Sequence, residues 1–241
     1  LEINAQRNQN GNRNIARKPF LTAEPPHAFE MLIIGVHHRN FNCSMTTLAH
    51  LISNTIHPII LPIVSFWILM RFGFGEPLPD MYLYLLVVTI FCMLTPALVV
   101  VVLKKMGKVT DYDISKRENR TLPFLIGVVG YFLGAWTLHL LGAPPIIIGF
   151  MMCYAINTML IFGITLIWKI SVHVTSLGGP IAAMTYVFGL QSLWLLLLMP
   201  PLAWARVRLK AHTPMQTVVG GSLGFSATLI ELVWWFGRGN F

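Results

Sequence analysis

The chain has 241 residues, of which 55% are hydrophobic and 11% charged, with a mean hydropathy of +0.67 and a formal net charge of +8. These are values of an integral membrane protein and exclude an ordinary soluble domain. The basic excess speaks to orientation and anionic partners, because no zinc-finger spacing and no interleaving of aromatic with basic residues argues for nucleic acid.

Residues 1–44, with "NAQRNQNGNRNIARK", are rich in Asn, Gln and Arg and read as a disordered polar tail. Membrane-like sequence begins abruptly at Met45, the expected start of the domain 45–241 and of translation itself. At about 20 apolar residues per crossing, spans are expected at 47–73, 79–103, 123–141, 145–168 and 215–237. Gly75, Pro77 and Pro79 mark one turn and Pro144-Pro145 another. The last span carries Gly220, Gly221 and Gly224, which let helices approach closely. The stretch 174–205 reads as one long helix interrupted by prolines or as a hairpin turning near Leu190-Gln191-Ser192. The expected fold is all-α, a polytopic transmembrane helical bundle of about six to seven spans. Cys43, Cys92 and Cys153 stand singly and suggest neither a disulfide scaffold nor a metal site.

Three polar clusters interrupt this apolar pattern. The first, "KVTDYDISKRENRTLP" at 108–123, fits a solvated loop obeying the positive-inside rule, or an anion site in which Arg120 grips phosphate through two hydrogen bonds. The second, "WKISVHVTSLGG" at 168–179, sets His173 beside Lys169 and Ser171, at the same membrane face as the first cluster. His50, His57 and His139 are set aside, since a lone membrane histidine is more often a structural hydrogen-bonder. In the third, "ARVRLKAHTPMQTVVGG" at 205–221, His212 and Gln216 are four apart and share a helix face if the last helix has begun there.

Taken in order, these clusters resemble the motifs of the type 2 phosphatidic acid phosphatase superfamily, membrane enzymes that remove phosphate from lipid phosphates. That family shows K-x6-R-P, then P-S-G-H, then S-R-x5-H-x3-D. Here they stand as Asp113, Arg120 and Pro123; as Ser171-Val172-His173; and as Ala205-Arg206, His212 and Gln216. The resemblance covers about 108–224 and identifies the chain as a divergent member, with a phosphatase-type helical core.

The resemblance implies a metal-independent hydrolase that needs no cofactor and acts on a lipid phosphate or diphosphate. His212 would attack phosphorus and form a phosphohistidine, His173 would protonate the leaving alkoxide, and Gln216 would fix the tautomer of His212. Arg120 and Arg206, with Ser171 and Lys169, would hold the phosphoryl oxygens. Asp113 stands where the family has lysine, so Lys116 or Arg117 would have to supply that charge. Gln216 stands where the family has aspartate, keeping a hydrogen bond without the negative charge. The alternative reading is therefore a catalytically impaired phosphatase-like membrane subunit or lipid-binding protein.

Two other classes are weaker. An intramembrane prenyltransferase needs a second aspartate-rich motif, and the only aspartates are Asp80, Asp111 and Asp113. Transport would rest on Glu231, an intramembrane carboxylate near the interface opposite the three clusters, where snorkelling or pairing with Arg238 is the expected explanation. On the hairpin reading, 15 of the 17 Lys and Arg residues fall on the face of the three clusters, which places that face in the cytoplasm of a bacterial inner membrane.

Overall fold

A computed structural model describes residues 44–108 and 117–239, apart from the side chains of Arg117 and Glu118. Asp113, Lys116, the Arg117 side chain and residues 1–43 of the expected tail lie outside the described residues. What is described is helical, without a strand. Five helices are long and apolar enough to cross a membrane: Met81–Lys105, Thr121–Leu140, Pro145–Ile167, Leu190–Arg208 and Pro214–Phe236. Their outward faces carry large apolar side chains, Trp234 82% and Ile167 85% exposed, a surface suited to lipid rather than water.

The expected first span, 47–73, is not one helix. The chain is helical over 44–55 (α1), turns at 56–60 and resumes as α2, Leu61–Phe72. The cause is Pro58, which lacks an N–H and disfavours helical geometry at His57 before it. The Ile60 and Leu61 amides close on the His57 carbonyl, so the turn holds its own hydrogen bonds. Twelve residues make α2 too short to cross hydrocarbon alone.

α3, Met81–Lys105, contains a π-helical stretch at Thr89–Leu94. Pro96, the second residue after it, cannot donate to the backbone; the widened turn absorbs that loss. α4, Thr121–Leu140, packs Gly130 and Gly134 against Phe91 and Thr95 of this stretch. α5, Pro145–Ile167, returns after a turn at Gly142, whose φ of 74° is a left-handed conformation natural to glycine. The main core lies among α2 to α5, around Phe66, Met70, Val88, Leu138, Phe150 and Met151.

The stretch left open as one helix or two is a hairpin. α6, Val172–Phe188, stops at Gly189, whose φ is 89°. α7, Leu190–Arg208, then returns, with a 3-10 half at Leu190–Leu198 and an α-helical half at Met199–Arg208. His173 near the start of α6 and Arg206 near the end of α7 are neighbours, so the two arms run antiparallel. α6 is the central helix, with twelve of its seventeen residues buried. α8, Pro214–Phe236, lies against it through glycines. A Cβ on Gly178 would come 2.6 Å from the Gly221 carbonyl oxygen, and one on Gly224 would fall on the Thr175 carbonyl.

Glu231 does not reach Arg238 as expected. It faces Cys153 on α5, and its Oε2 is buried with no hydrogen-bond partner among the described residues. One turn away Asn157 Nδ2 donates to Thr228 Oγ1 at 2.8 Å, while the Asn157 Oδ1 is buried with no partner among the described residues.

Candidate active site

The loop between α7 and α8 is built from two helix caps. α7 ends in a left-handed turn at Lys210, φ 54°, with the Ala211 amide on the Arg206 carbonyl and the Lys210 amide on that of Val207. A non-glycine residue there costs about 1–2 kcal/mol of backbone strain, offset by two satisfied carbonyls. The His212 amide also reaches the Arg206 carbonyl, at 3.3 Å. Arg206 and His212, six apart in sequence, are thus folded onto each other.

α8 starts with a capping box. Thr213 Oγ1 accepts the Gln216 amide at 3.3 Å, and Gln216 Oε1 accepts the Thr213 amide at 3.1 Å. The same Oε1 lies 3.2 Å from Nδ1 of His212. Because the Thr213 N–H fixes which end of the amide is oxygen, Nδ1 must be the donor. The neutral ring then carries its proton on Nδ1 and leaves the Nε2 lone pair for chemistry.

The other clusters converge on this loop. The Ser171 amide donates to the Gln216 carbonyl at 3.2 Å, tying the start of α6 to the start of α8. Arg120, at the start of α4, donates through Nη1 to the Ile170 carbonyl at 3.4 Å. Arg206 Nη1 donates to Ser53 Oγ at 2.8 Å and stands 3.5 Å from His173 Nε2. Arg120, His173, Arg206 and His212 are each 4–7% exposed.

These four side chains line one cavity of about 170 Å³, with His57, Cys92, Pro96, Phe124 and Tyr131 among its walls. Among the described residues no Asp or Glu lines it, and the charged side chains that do are the guanidiniums of Arg120 and Arg206. Three helices, α4, α6 and α8, begin at this face and add the partial positive charge of their N-termini. The arrangement suits a buried anion.

Burial is the first cause that pushes the His212 imidazole down, to about 4. The Gln216 hydrogen bond opposes this, while Lys169, Arg120 and Arg206 add to it by repelling a second positive charge. Lys169 is half-buried and close enough to act on His212 through its charge. Ser171 is fully buried and does not line the cavity, as the neighbouring Val172 does; its Oγ has no hydrogen-bond partner among the described residues, although its backbone serves the loop. Among the described residues, no three His, Cys, Asp or Glu side chains stand together to hold a metal ion.

Two residues at the site, His57 in the pocket wall and Ser53 behind Arg206, were not among the sequence candidates. His57, set aside as a lone membrane histidine, lies edge to face with His173, ring centroids 5.1 Å apart. The Pro58 break was the available signal, since it forces His57 off the helix. Ser53 offered none. His50 and His139 are exposed and take no part.

Comparison with protein-family models, with curated proteins and with solved structures gives no match to this chain.

Proposed function

We propose that this protein is a membrane phosphatase that hydrolyses a lipid phosphate or diphosphate through a phosphohistidine on His212, as its resemblance to the type 2 phosphatidic acid phosphatases implies. The supporting observation is that Arg120, His173, Arg206 and His212, drawn from three separate stretches of the chain, line one cavity that has no carboxylate among its described walls.

In this reading the two guanidiniums grip the phosphoryl oxygens and neutralise the charge that spreads over them in the transition state. Nε2 of His212 attacks phosphorus in line with the lipid oxygen. The phosphorus–oxygen bond breaks as the nitrogen–phosphorus bond forms, and His173 delivers the proton to the departing alkoxide. Water, relieved of a proton by His173, then displaces the phosphohistidine and frees inorganic phosphate. Gln216 holds the ring of His212 throughout. Lys169 adds long-range positive charge, and Ser171 supports the site through its backbone link to Gln216.

The chain then makes about seven crossings: α1 with α2 as one broken passage, and α3 to α8 as one each. The pocket lies at the face of Lys104, Lys105 and Lys108, which the positive-inside rule puts in the cytoplasm of a bacterial inner membrane. The substrate is a membrane lipid phosphate entering sideways from the leaflet.

One observation favours the alternative of a phosphatase-like lipid-binding subunit. Gln216 completes the α8 capping box, a purely structural task that would keep it there without catalysis. Phosphate release from a panel of lipid phosphates, with His212→Ala as control, decides between them. Release by the parent and none by the variant supports the enzyme; equal release by both removes it.

A further inference from the structure

α1 reaches the pocket from outside the three clusters, and its two contacts fall on two different members of the site. Ser53 is 2% exposed and its Oγ accepts from Arg206 Nη1 at 2.8 Å, across 153 positions of sequence. His57 follows four residues later, just beyond the helix end, on the side of α1 that faces the pocket. Its Nδ1 accepts the Ile59 amide at 3.3 Å, an N–H that the Pro58 break withdraws from the helical ladder. That bond fixes the ring: Nδ1 is the acceptor, and in the neutral form the proton sits on Nε2. The ring then meets His173 at 84°, centroids 5.1 Å apart.

Building on the phosphatase reading, we propose that Ser53 and His57 are positioning residues of the phosphate site. Ser53 aims the Arg206 guanidinium at the bound phosphoryl group, and His57 holds the His173 imidazole in line with the leaving oxygen. A hydroxyl buried at the end of an apolar helix is costly unless bonded, and here its partner is the anion clamp. An aromatic wall of any kind would pack against His173; a ring whose own orientation is pinned by a backbone amide also fixes the angle. The broken first span thus has a purpose, since a continuous helix over 47–73 would turn His57 away from the backbone donor that fixes it.

The test uses the full chain in detergent micelles, with phosphatidate as substrate. Ser53→Ala is expected to raise KM about tenfold by loosening the clamp, and Ser53→Thr to restore it. His57→Phe, which keeps the packing and loses the amide-pinned ring, is expected to lower kcat about tenfold with KM nearly unchanged. His57→Asn, whose carbonyl can accept the Ile59 amide but offers no ring, should behave as His57→Phe does. A merely structural role predicts instead that activity falls only in proportion to folded protein, with kcat and KM per folded molecule as in the parent; that result overturns the proposal. Should Ser53→Ala not fold, Ser53→Cys reads the same loss at nearly the same volume.

The phosphatase reading and this one fail separately. If the parent is active and the variants match it, the positioning role falls while the enzyme stands. If the parent releases no phosphate, thermal unfolding with and without inorganic phosphate replaces turnover. Stabilisation of the parent that is lost in Ser53→Ala and His57→Phe keeps the two residues in an anion site without hydrolysis. Equal response in parent and variants, including none in any, overturns the placement.

Discussion

Nδ1 of His212 donates to Oε1 of Gln216 at 3.2 Å, and that oxygen is held in place by the Thr213 amide. One side chain therefore caps a helix and sets the tautomer of the candidate nucleophile. Gln216→Glu keeps both accepted bonds, since a capping box takes either residue, and adds the negative charge that favours an imidazolium. Turnover should rise about tenfold. Gln216→Leu should lower kcat by at least about 100-fold and cost α8 about 1 kcal/mol of stability. Steady-state phosphate release and thermal unfolding read the two effects; parental turnover in the leucine variant would leave His212 without an orienting partner in the mechanism.

The second prediction concerns pH. His212 is pushed from its ordinary value to about 4, chiefly by burial, so its ring stays uncharged and nucleophilic well below neutrality. The His212 limb of kcat/KM should lie near pH 4, not near the ordinary value of about 6.5. Stability follows from the same shift. The unfolded chain takes up a proton at higher pH than the folded one, so this contribution is complete above about pH 6.5 and fades as pH falls from there through about 4. Unfolding temperatures between pH 7.5 and 4.5 should decline more steeply in the parent than in His212→Gln, which cannot titrate. Parallel curves would mean that the ring is not desolvated.

α6 and α8 meet through glycines, and their approach brings the start of one beside the start of the other. Gly178→Ala would set a methyl 2.6 Å from the Gly221 oxygen and 2.7 Å from the Phe225 nitrogen, both backbone atoms that cannot step aside alone. The expected loss is about 1–3 kcal/mol of stability, with phosphate release reduced as the Ser171 to Gln216 link opens. Gly163→Ala is the control, since nothing lies within 4 Å of its added Cβ. A Gly178 variant as stable and active as that control would show that the helices can separate without harm to the site.

How much of the site was legible depended on how local its geometry is. Arg206, His212 and Gln216 span a helix end, a turn and a helix start, so their spacing alone carried the arrangement. His173 and Arg120 were placed by hairpin reasoning, which needs only that helices go out and return. Ser53 touches Arg206 from 153 positions away, and no local pattern announces such a contact. His57 makes a structural hydrogen bond of the kind expected of it, accepting the Ile59 amide, but its place in the pocket wall was not legible, because the hydrophobic run on both sides of Pro58 makes 47–73 look like one span. Gln216 was read as an altered catalytic position, while Thr213-x-x-Gln216 was equally visible as a capping box. Depth in the membrane offers Glu231 either snorkelling or Arg238; helix rotation, which sequence distance does not give, turns it to Cys153 instead.

The last prediction tests the membrane topology on which the mechanism depends. α6 runs seventeen residues from His173 to the reversal at Gly189, a rise of about 25 Å, slightly less than the roughly 30 Å of hydrocarbon. Its ends can therefore lie at opposite surfaces if polar residues reach out, or the hairpin can stay within the bilayer from one side. Gln191 at the reversal and Lys210 beside the pocket are both exposed. Single cysteines placed there, in a chain whose own cysteines are replaced, should label from opposite sides of sealed vesicles with a membrane-impermeant maleimide. Gln191→Cys should react from the side away from Lys104 and Lys105, and Lys210→Cys from their side. Labelling of both from one side would make the hairpin re-entrant, with the pocket still assembled, the crossing count lowered by two and α8 still ending on the side away from the pocket.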